Sequence, residues 1–498
     1  MSTTQRTRVG RALENSSVPG AIAANNLLRS YIQLLRSRRP ISPSERARFD
    51  IYAARIHHFS ASALESALRI FPCPDTTCLR ALAPGNPENL VSLFPRLRSL
   101  DWGSIAPKND EALRYIPLFV GKVTQRITFS LDESWLGPRV ISAVQAVMSD
   151  FPSIQHVKIV AGSDDDGDPI RMTAEALWQI FRHNLTLQSV ELGAHLISQP
   201  LVDHLAGLEN LKTLSMKFDG PISSFPSSAF PALERLKLTS QSYQTMASFL
   251  SVLSAPASLT KVEFVSDHYS IFVLGEVQTL FNAIQLYLSH SRLDFLRIKS
   301  SFNLFEGVTT IIDESVLRPL LEFRNIKCLE LRMHHSFRMG DAMAIDMAAA
   351  WPLLEILWIG GVGWSQQSTI TLVGLMALLH GMRHLQSINI AINVTEIDFP
   401  DNADIPINTK LSSMRLQDSI LCDNVDAMIL LLSRATPNLE FIDSWDNGFY
   451  AADTSFDHMA RMYLNRWSEV ERRMPKVVGV SLLDRKRDLF RRLIETYT

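Results

Sequence analysis

The residues that could bind a metal ion are few and lie in short groups. The acidic loop SDDDGD at 163–168 places closely spaced carboxylates beside a glycine, a composition that can wrap calcium. It lacks the alternating spacing and the closing glutamate of an EF-hand loop, which favours a solvated loop. Histidines occur in two adjacent pairs, His57-His58 and His334-His335. On a strand, the two side chains of each pair would point to opposite faces and could not share a metal ion, so we interpret them as structural or surface histidines.

Motifs of the common catalytic sites do not occur in the sequence. There is no GxSxG nucleophile turn, no GxxxxGK[ST] phosphate loop and no HExxH helix, and GGVGW at 360–364 follows a strand-like segment as a turn. The sequence therefore predicts no catalytic residue, no cofactor and no metal, and the protein is not expected to be an enzyme. The cysteines, whose spacing matches neither a disulfide framework nor paired zinc knuckles, are Cys73, Cys78, Cys328 and Cys422.

The cysteine spacing, together with the lack of an apolar segment in MSTTQRTRVGRALENSSVPG, predicts an intracellular protein, cytoplasmic or nuclear. The chain has 498 residues, of which 46% are hydrophobic and 20% charged, enough to bury a large core. It contains no uninterrupted apolar run of about 18 residues, so no membrane partner is predicted. The formal charge is −2, but residues 1–48 carry +7 and residues 461–498 carry +5. We interpret these basic ends as solvated termini rather than nucleic-acid sites, because no aromatic-interleaved RNA motif accompanies them.

One pattern recurs along the chain: an apolar residue followed at three and five positions by further apolar residues, often introduced by Phe-Pro or another proline. FPRLRSLDW at 94–102 and FPALERLKL at 230–238 are clear copies. The copies follow one another at roughly 22 to 34 residues, the leucine-rich-repeat range and slightly beyond. The first apolar residues of ten copies are Leu187, Leu211, Leu233, Leu259, Leu293, Ile326, Leu354, Leu385, Leu411 and Leu439.

The pattern has a specific physical meaning. Two apolar side chains two residues apart share one face of a short strand, and stacking such strands in parallel buries that face continuously. The intervening segments show helical spacing and would cover the sheet. The asparagine that usually follows the motif is missing from nearly all copies. The predicted helices span 138–151, 173–184, 242–254, 274–290, 341–351, 371–382, 423–435 and the amphipathic segment from about 455.

These observations predict an α/β fold, a leucine-rich-repeat (ribonuclease-inhibitor-like) solenoid of parallel strands and return helices with a helical C-terminal cap. Another α/β architecture with several parallel strands would also suit the alternation. The predicted domains are a basic, partly helical segment at 1–48, the irregular solenoid at 49–450 and the cap at 451–498.

The strand geometry also predicts a binding surface on the concave face. Residues just before and between the last two apolar positions would project outward; they are polar in early copies, such as Ser99 and Asp101, and basic in the middle. Later copies place large apolar residues beside arginines there, the composition of a binding hot spot. A covering segment, or a register shifted by one residue, is the open alternative. The predicted protein-binding residues are Phe295, Arg297, Arg332, Ile356, Trp358, Arg415 and Phe441.

Two segments carry a resemblance to a known family. SRRPISPSERARFDIYAARIHHFS at 37–60, followed by LVSLFPRLRSLDW at 90–102, resembles the fungal (basidiomycete-type) F-box proteins with irregular leucine-rich repeats. The resemblance implies that the repeats hold a protein substrate and that an F-box grips the Skp adaptor of a cullin ubiquitin ligase. Residues 1–36 contain no Leu-Pro-x-Glu-type opening, so residues 1–48 are interpreted as a remnant or missing F-box region, and adaptor binding is assigned to no residue.

The sequence thus favours a non-catalytic protein-binding scaffold that resembles the substrate-recognition part of an F-box subunit. Two alternatives stay open: a repeat interaction protein unrelated to ubiquitination, and an α/β enzyme of unknown reaction. A convergent cleft with perturbed titratable groups would favour the enzyme.

Overall fold

The structure is a computed structural model and has two compact units. The first unit holds the described residues up to Phe218 together with 229–233, and the second holds those from Glu234 onward. The residues that the structure describes are 44, 47, 50, 51, 53–60, 92–102, 116–130, 138–160, 173–218, 229–253, 258–267, 274–300, 311–333, 335–360, 369–397, 405–445 and 454–474. Outside these ranges lie the acidic loop at 163–168, His334, Cys73, Cys78, residues 1–43 and residues 475–498.

Parallel strands in chain order form the sheet of the first unit. Their register aligns His58, Ser99, Arg126, His156 and Ser189, and Ser189 aligns in turn with Thr213. The register shifts after Glu191, near the positive φ of Gly193. The strands are β1 (His58–Ser60), β2 (Ser99–Trp102), β3 (Arg126–Ser130), β4 (His156–Val160), β5 (Ser189–Leu196) and β6 (Thr213–Lys217).

The described part of the second unit repeats this arrangement with eight parallel strands and adds two short side sheets. The main strands are β7 (Arg235–Ser240), β8 (Lys261–Ser266), β9 (Phe295–Ser300), β11 (Cys328–Arg332), β13 (Ile356–Ile359), β14 (Ser387–Asn389), β16 (Ser413–Arg415) and β18 (Phe441–Asp443). The side sheets pair β10 (Ile311–Asp313) with β12 (Ser336–Arg338), and β15 (Asn393–Val394) with β17 (Ile420–Leu421).

All eight predicted helical segments contain a helix, and the described residues add two helices that were not predicted. The helices of the first unit are α1 (Pro138–Asp150), α2 (Ala174–Phe181) and α3 (Gln199–Ala206). Those of the second unit are α4 (Tyr243–Val252), α5 (Leu274–Tyr287), α6 (Glu314–Leu317, continued by a 3₁₀ turn at Arg318–Glu322), α7 (Asp341–Ala350), α8 (Leu372–Gly381), α9 (Val425–Ala435) and α10 (Thr454–Arg473). The two that were not predicted are α3 and α6.

The Phe-Pro signature has a structural cause. In five copies, the carbonyl of the residue before proline accepts a hydrogen bond from the backbone N–H three residues later, which belongs to the first apolar residue of the repeat. Leu97 donates to Phe94 in this way, and Leu354 donates to Trp351. Proline then occupies the second position of a tight turn, where its fixed φ suits the backbone. The turn reverses the chain from helix into strand. Phe94, Phe230, Trp351 and Thr436 are buried beneath it.

The predicted fold class is confirmed in each unit. Apolar residues at the second strand position, among them Leu100 and Ile127 in the first unit and Leu296 and Leu357 in the second, are fully buried. This is the face that the repeat pattern assigned to the core, because side chains alternate along a strand. The domain limits at residues 48 and 450 fall outside the described residues and stay predictions.

The C-terminal helix α10 packs against the last repeat. It contacts α9, β17 and β18, and Trp467 is buried and donates its ring N–H to the carbonyl of Ser419 at 3.0 Å. Arg466 donates to the carbonyl of Leu421 and pairs with Asp423. A helix in this position covers β18, the last strand of the described sheet, as a capping helix of a repeat array does.

Asp418, in the turn between β16 and β17, predicts a pH dependence of stability. Burial raises the pKa of its carboxyl to about 7. A raised folded-state pKa means that the folded chain binds more protons than the unfolded chain from about pH 4 to pH 7, so the free energy of unfolding falls as pH rises through that window. We expect Asp418→Asn to remove this slope and to raise the free energy of unfolding at pH 8 by about 2 kcal/mol, allowing for partial exposure. Urea titrations from pH 4 to pH 8 test it, and parallel profiles for wild type and variant would contradict it.

Candidate protein-binding face of the second unit

The strand register of the second unit brings the predicted binding residues onto one face. Adjacent strands align Arg235 with Lys261, Phe295, Cys328, Ile356, Ser387, Ser413 and Phe441. The first, third and fifth strand positions, counted from these residues, point away from the buried second and fourth positions. We call their side chains the outer face. All seven predicted residues belong to it: Phe295, Ile356 and Phe441 at position one, Arg297, Trp358 and Arg415 at position three, and Arg332 at position five.

The predicted exposure of the apolar residues is wrong for three of the four. Phe295, Ile356 and Phe441 are only 4–6% exposed, whereas Trp358 is partly exposed. For Phe295 and Ile356 the reason is lateral packing, whereas the guanidinium carbon of Arg415 lies 5.9 Å from the ring centre of Phe441. Strands lie about 4.8 Å apart, so large side chains in one row cover each other. Phe295, Cys328 and Ile356 form a buried apolar cluster on adjacent strands.

Cationic side chains lie over the aromatic rings of the face. The guanidinium carbon of Arg332 lies 3.4 Å from the ring centre of Trp358, and that of Arg415 lies 5.1 Å away. Phe295 has Arg297 at 5.0 Å and the ammonium of Lys261 at 5.8 Å. Such stacking is attractive because the ring face carries negative charge, and it holds the cations in place.

Two carboxylates on the face organise these cations. Glu330 is 2% exposed, and its two oxygens each lie 2.6 Å from a guanidinium nitrogen, one of Arg297 and one of Arg332. Glu263 lies 2.9 Å from Lys299, 3.6 Å from Lys237 and 3.8 Å from Arg297. The thiol of Cys328 also lies 3.6 Å from Glu330. Charges and rings therefore form one connected network.

Burial and neighbouring charges shift the pKa values of Glu263 and Cys328 in this network. Burial acts to raise the pKa of Glu263, but Lys237, Lys299 and Arg297 outweigh it and hold the pKa below its usual value. Burial and the neighbouring Glu330 carboxylate raise the pKa of the Cys328 thiol well above its usual value. A protonated, buried thiol is a poor nucleophile, so Cys328 is not activated for covalent chemistry.

The sequence pattern was not used to predict Glu263, Glu330 and Cys328 as site residues, although the alternation of side chains along a strand places them on the outer face. KVEFVS and CLELR place these residues at the outward positions of β8 and β11. Sequence reasoning also missed Gln417, which directly follows Leu416, the last apolar position of its repeat. The Gln417 amide donates to the carbonyl of Ile359 and to Asn389 Oδ1, both at 2.7 Å, and so bridges three strands.

The other candidates for chemistry lie elsewhere. His57 and His58 are exposed, whereas His335 is buried. Within the described ranges, no three His, Cys, Asp or Glu side chains are arranged to hold a metal ion. In the same part of the chain, no helix combines the length and apolarity that crossing a bilayer requires.

Comparisons with known proteins give structural similarities alone. No family model matches the chain, and no curated protein matches it in sequence. Among solved structures, the complex of Rad7 and Elc1 from yeast has a chain that is 12% identical, with a TM-score of 0.31; the match covers 90% of this chain and 94% of that one. The leucine-rich-repeat-containing protein LegL7 from Legionella pneumophila is 11% identical with a TM-score of 0.26, over 80% of this chain and 98% of its own.

Proposed function

We propose that the protein is a non-catalytic scaffold that binds a protein partner on the outer face of the second unit. The observation that carries the proposal is the partly exposed Trp358 with Arg332 and Arg415 stacked on its ring, on the same face as the buried Ile356 and Phe441. Aromatic and arginine side chains on a packed apolar base dominate the energy of protein interfaces. Stacking also reduces the side-chain freedom that binding would otherwise remove.

A finer form of the proposal concerns ubiquitination. The resemblance of residues 37–60 and 90–102 to F-box repeat proteins supports a substrate-recognition role, with the Skp adaptor and a cullin as further partners. An intracellular location, cytoplasmic or nuclear, belongs to the same proposal. It agrees with the free thiols of Cys328 and Cys422.

Partner capture by variants of the full chain tests the binding face. We expect Trp358→Ala with Arg415→Gln to lower capture of the specific partner at least 30-fold, since two hot-spot side chains together contribute about 2 kcal/mol or more. The measurement is affinity purification from the native cells with quantitative mass spectrometry. The matched control is Trp178→Ala with Arg182→Gln, which removes the same side-chain types from helix α2 and the residue after it.

The outcomes distinguish partner binding on the outer face from a role in ubiquitination. A partner lost with the face variant and kept with the control locates binding on the outer face. Skp and cullin recovered with both variants would add the ubiquitin-ligase role, with the adaptor bound elsewhere. Equal recovery of every partner by all three proteins would contradict the binding face.

A further inference from the structure

We infer that the partner segment held by the outer face is an acidic peptide, one that presents carboxylates to its cations. The inference rests on the proposed function and names the chemistry of its ligand. Seven cationic side chains stand on the strands of this face against three carboxylates, those of Glu263, Glu330 and Asp443. The cations are Arg235, Lys237, Lys261, Arg297, Lys299, Arg332 and Arg415.

The carboxylates and the cations of the outer face differ in how far their side chains are exposed. The side chain of Glu330 is 3% exposed and that of Glu263 16%, whereas those of Lys237 and Arg332 are 41% and 40% exposed. Glu330 and Glu263 therefore lie deeper than Lys237 and Arg332, which face solvent, whereas Arg297 is 18% exposed and lies at about the depth of Glu263. An approaching molecule meets positive charge first, which attracts anionic groups and repels cationic ones.

Two cations are placed unfavourably for the chain alone. Arg235 and Lys261 are aligned on neighbouring strands, so like charges stand side by side. Among the described residues, no carboxylate lies within ion-pair distance of either, although Lys261 stacks on Phe295. The mutual repulsion of these two charges does not favour folding. A carboxylate from a bound peptide would relieve their repulsion.

A peptide fits the face better than a nucleic acid does. Single-stranded nucleic acids bind largely by stacking bases on free aromatic rings. Here Phe295 is buried, and Arg332 and Arg415 already lie over Trp358. Carboxylates, in contrast, pair with arginine through two parallel hydrogen bonds and need no ring.

The spacing of the strands sets the size of the peptide. The cations extend from β7 to β16, which are separated by six strand intervals, or about 29 Å at about 4.8 Å each. An extended peptide covers this distance with about nine residues. A twelve-residue probe with glutamate at alternate positions and serine between them therefore spans the face.

Fluorescence anisotropy of this labelled probe with the full chain tests the inference. Arg235→Gln with Lys261→Gln should weaken binding at least tenfold and leave the thermal unfolding midpoint unchanged or higher, because repulsion is removed. A second variant, Arg332→Gln with Arg415→Gln, should also weaken binding. The matched control is Arg324→Gln with Arg383→Gln, two exposed arginines in the turns before β11 and β14, and should change binding less than twofold.

A cationic peptide and a single-stranded oligonucleotide test whether binding depends on the negative charge of a peptide. A lysine-serine peptide of the same length should not bind. Failure of wild type to bind the glutamate probe, or equal weakening by the control, would overturn the inference, as would tighter binding of a twelve-nucleotide oligo-dT that the face variants abolish. If the glutamate probe fails while Trp358→Ala with Arg415→Gln still loses its cellular partner, the acidic ligand is wrong and the binding face stands.

Discussion

Glu330→Gln is expected to lower the free energy of unfolding by about 3 kcal/mol, because it removes the buried carboxylate and leaves the charges of its arginine partners in place. The carboxylate is 3% exposed and contacts Arg297 and Arg332 at 2.6 Å each. After the change, Arg297, whose side chain is 18% exposed, keeps Glu263 at 3.8 Å as its one counter-charge among the described residues. Urea unfolding measures the effect as a lower midpoint at unchanged slope.

The control for this prediction is the same substitution at the surface. Glu322, half exposed, contacts His290 at 3.4 Å, and Glu322→Gln should change stability by less than about 0.5 kcal/mol. A second variant separates lost charge from lost packing: Arg297→Met with Glu330→Met removes both charges and should recover much of the loss. Equal effects of Glu330→Gln and Glu322→Gln would show that the buried carboxylate does not hold the network together.

Gly381→Ala should destabilise the return layer of the second unit by about 2 kcal/mol. A Cβ at Gly381 would lie 2.7 Å from the carbonyl oxygen and 2.8 Å from the Cβ of Ala348, on the neighbouring helix α7. These are backbone-fixed atoms that cannot rotate aside, so α7 and α8 would have to separate. Thermal and urea unfolding of the variant measure the cost.

Gly275 provides the matched control, because it lies in helix α5 and a Cβ there would meet no atom within 4 Å. Gly275→Ala should leave stability unchanged or raise it by up to about 1 kcal/mol, since alanine favours the helix. If Gly381→Ala were as harmless as Gly275→Ala, the close approach of α7 and α8 would not limit the packing of this layer.

The sequence by itself determined the repeat. Side chains alternate along every strand, so LxxLxL assigns Leu296 and Leu357 to the core and Arg297 and Trp358 to the outer face without knowledge of any neighbour. The turn before each strand is equally local, because Phe-Pro supplies both a buried residue and the fixed φ of a turn. Helical spacing located most return segments for the same reason.

Tertiary structure decided which outer residues meet. Glu330 reaches Arg297 across 33 residues of chain, and Gln417 reaches Ile359 across 58. These separations depend on the lengths of the return segments, which are irregular and set by helix packing rather than by the strand pattern. The same limit explains the wrong exposure of Phe295 and Ile356: the pattern gives the side on which a residue lies, whereas burial there depends on the neighbours that lateral register places about 4.8 Å away.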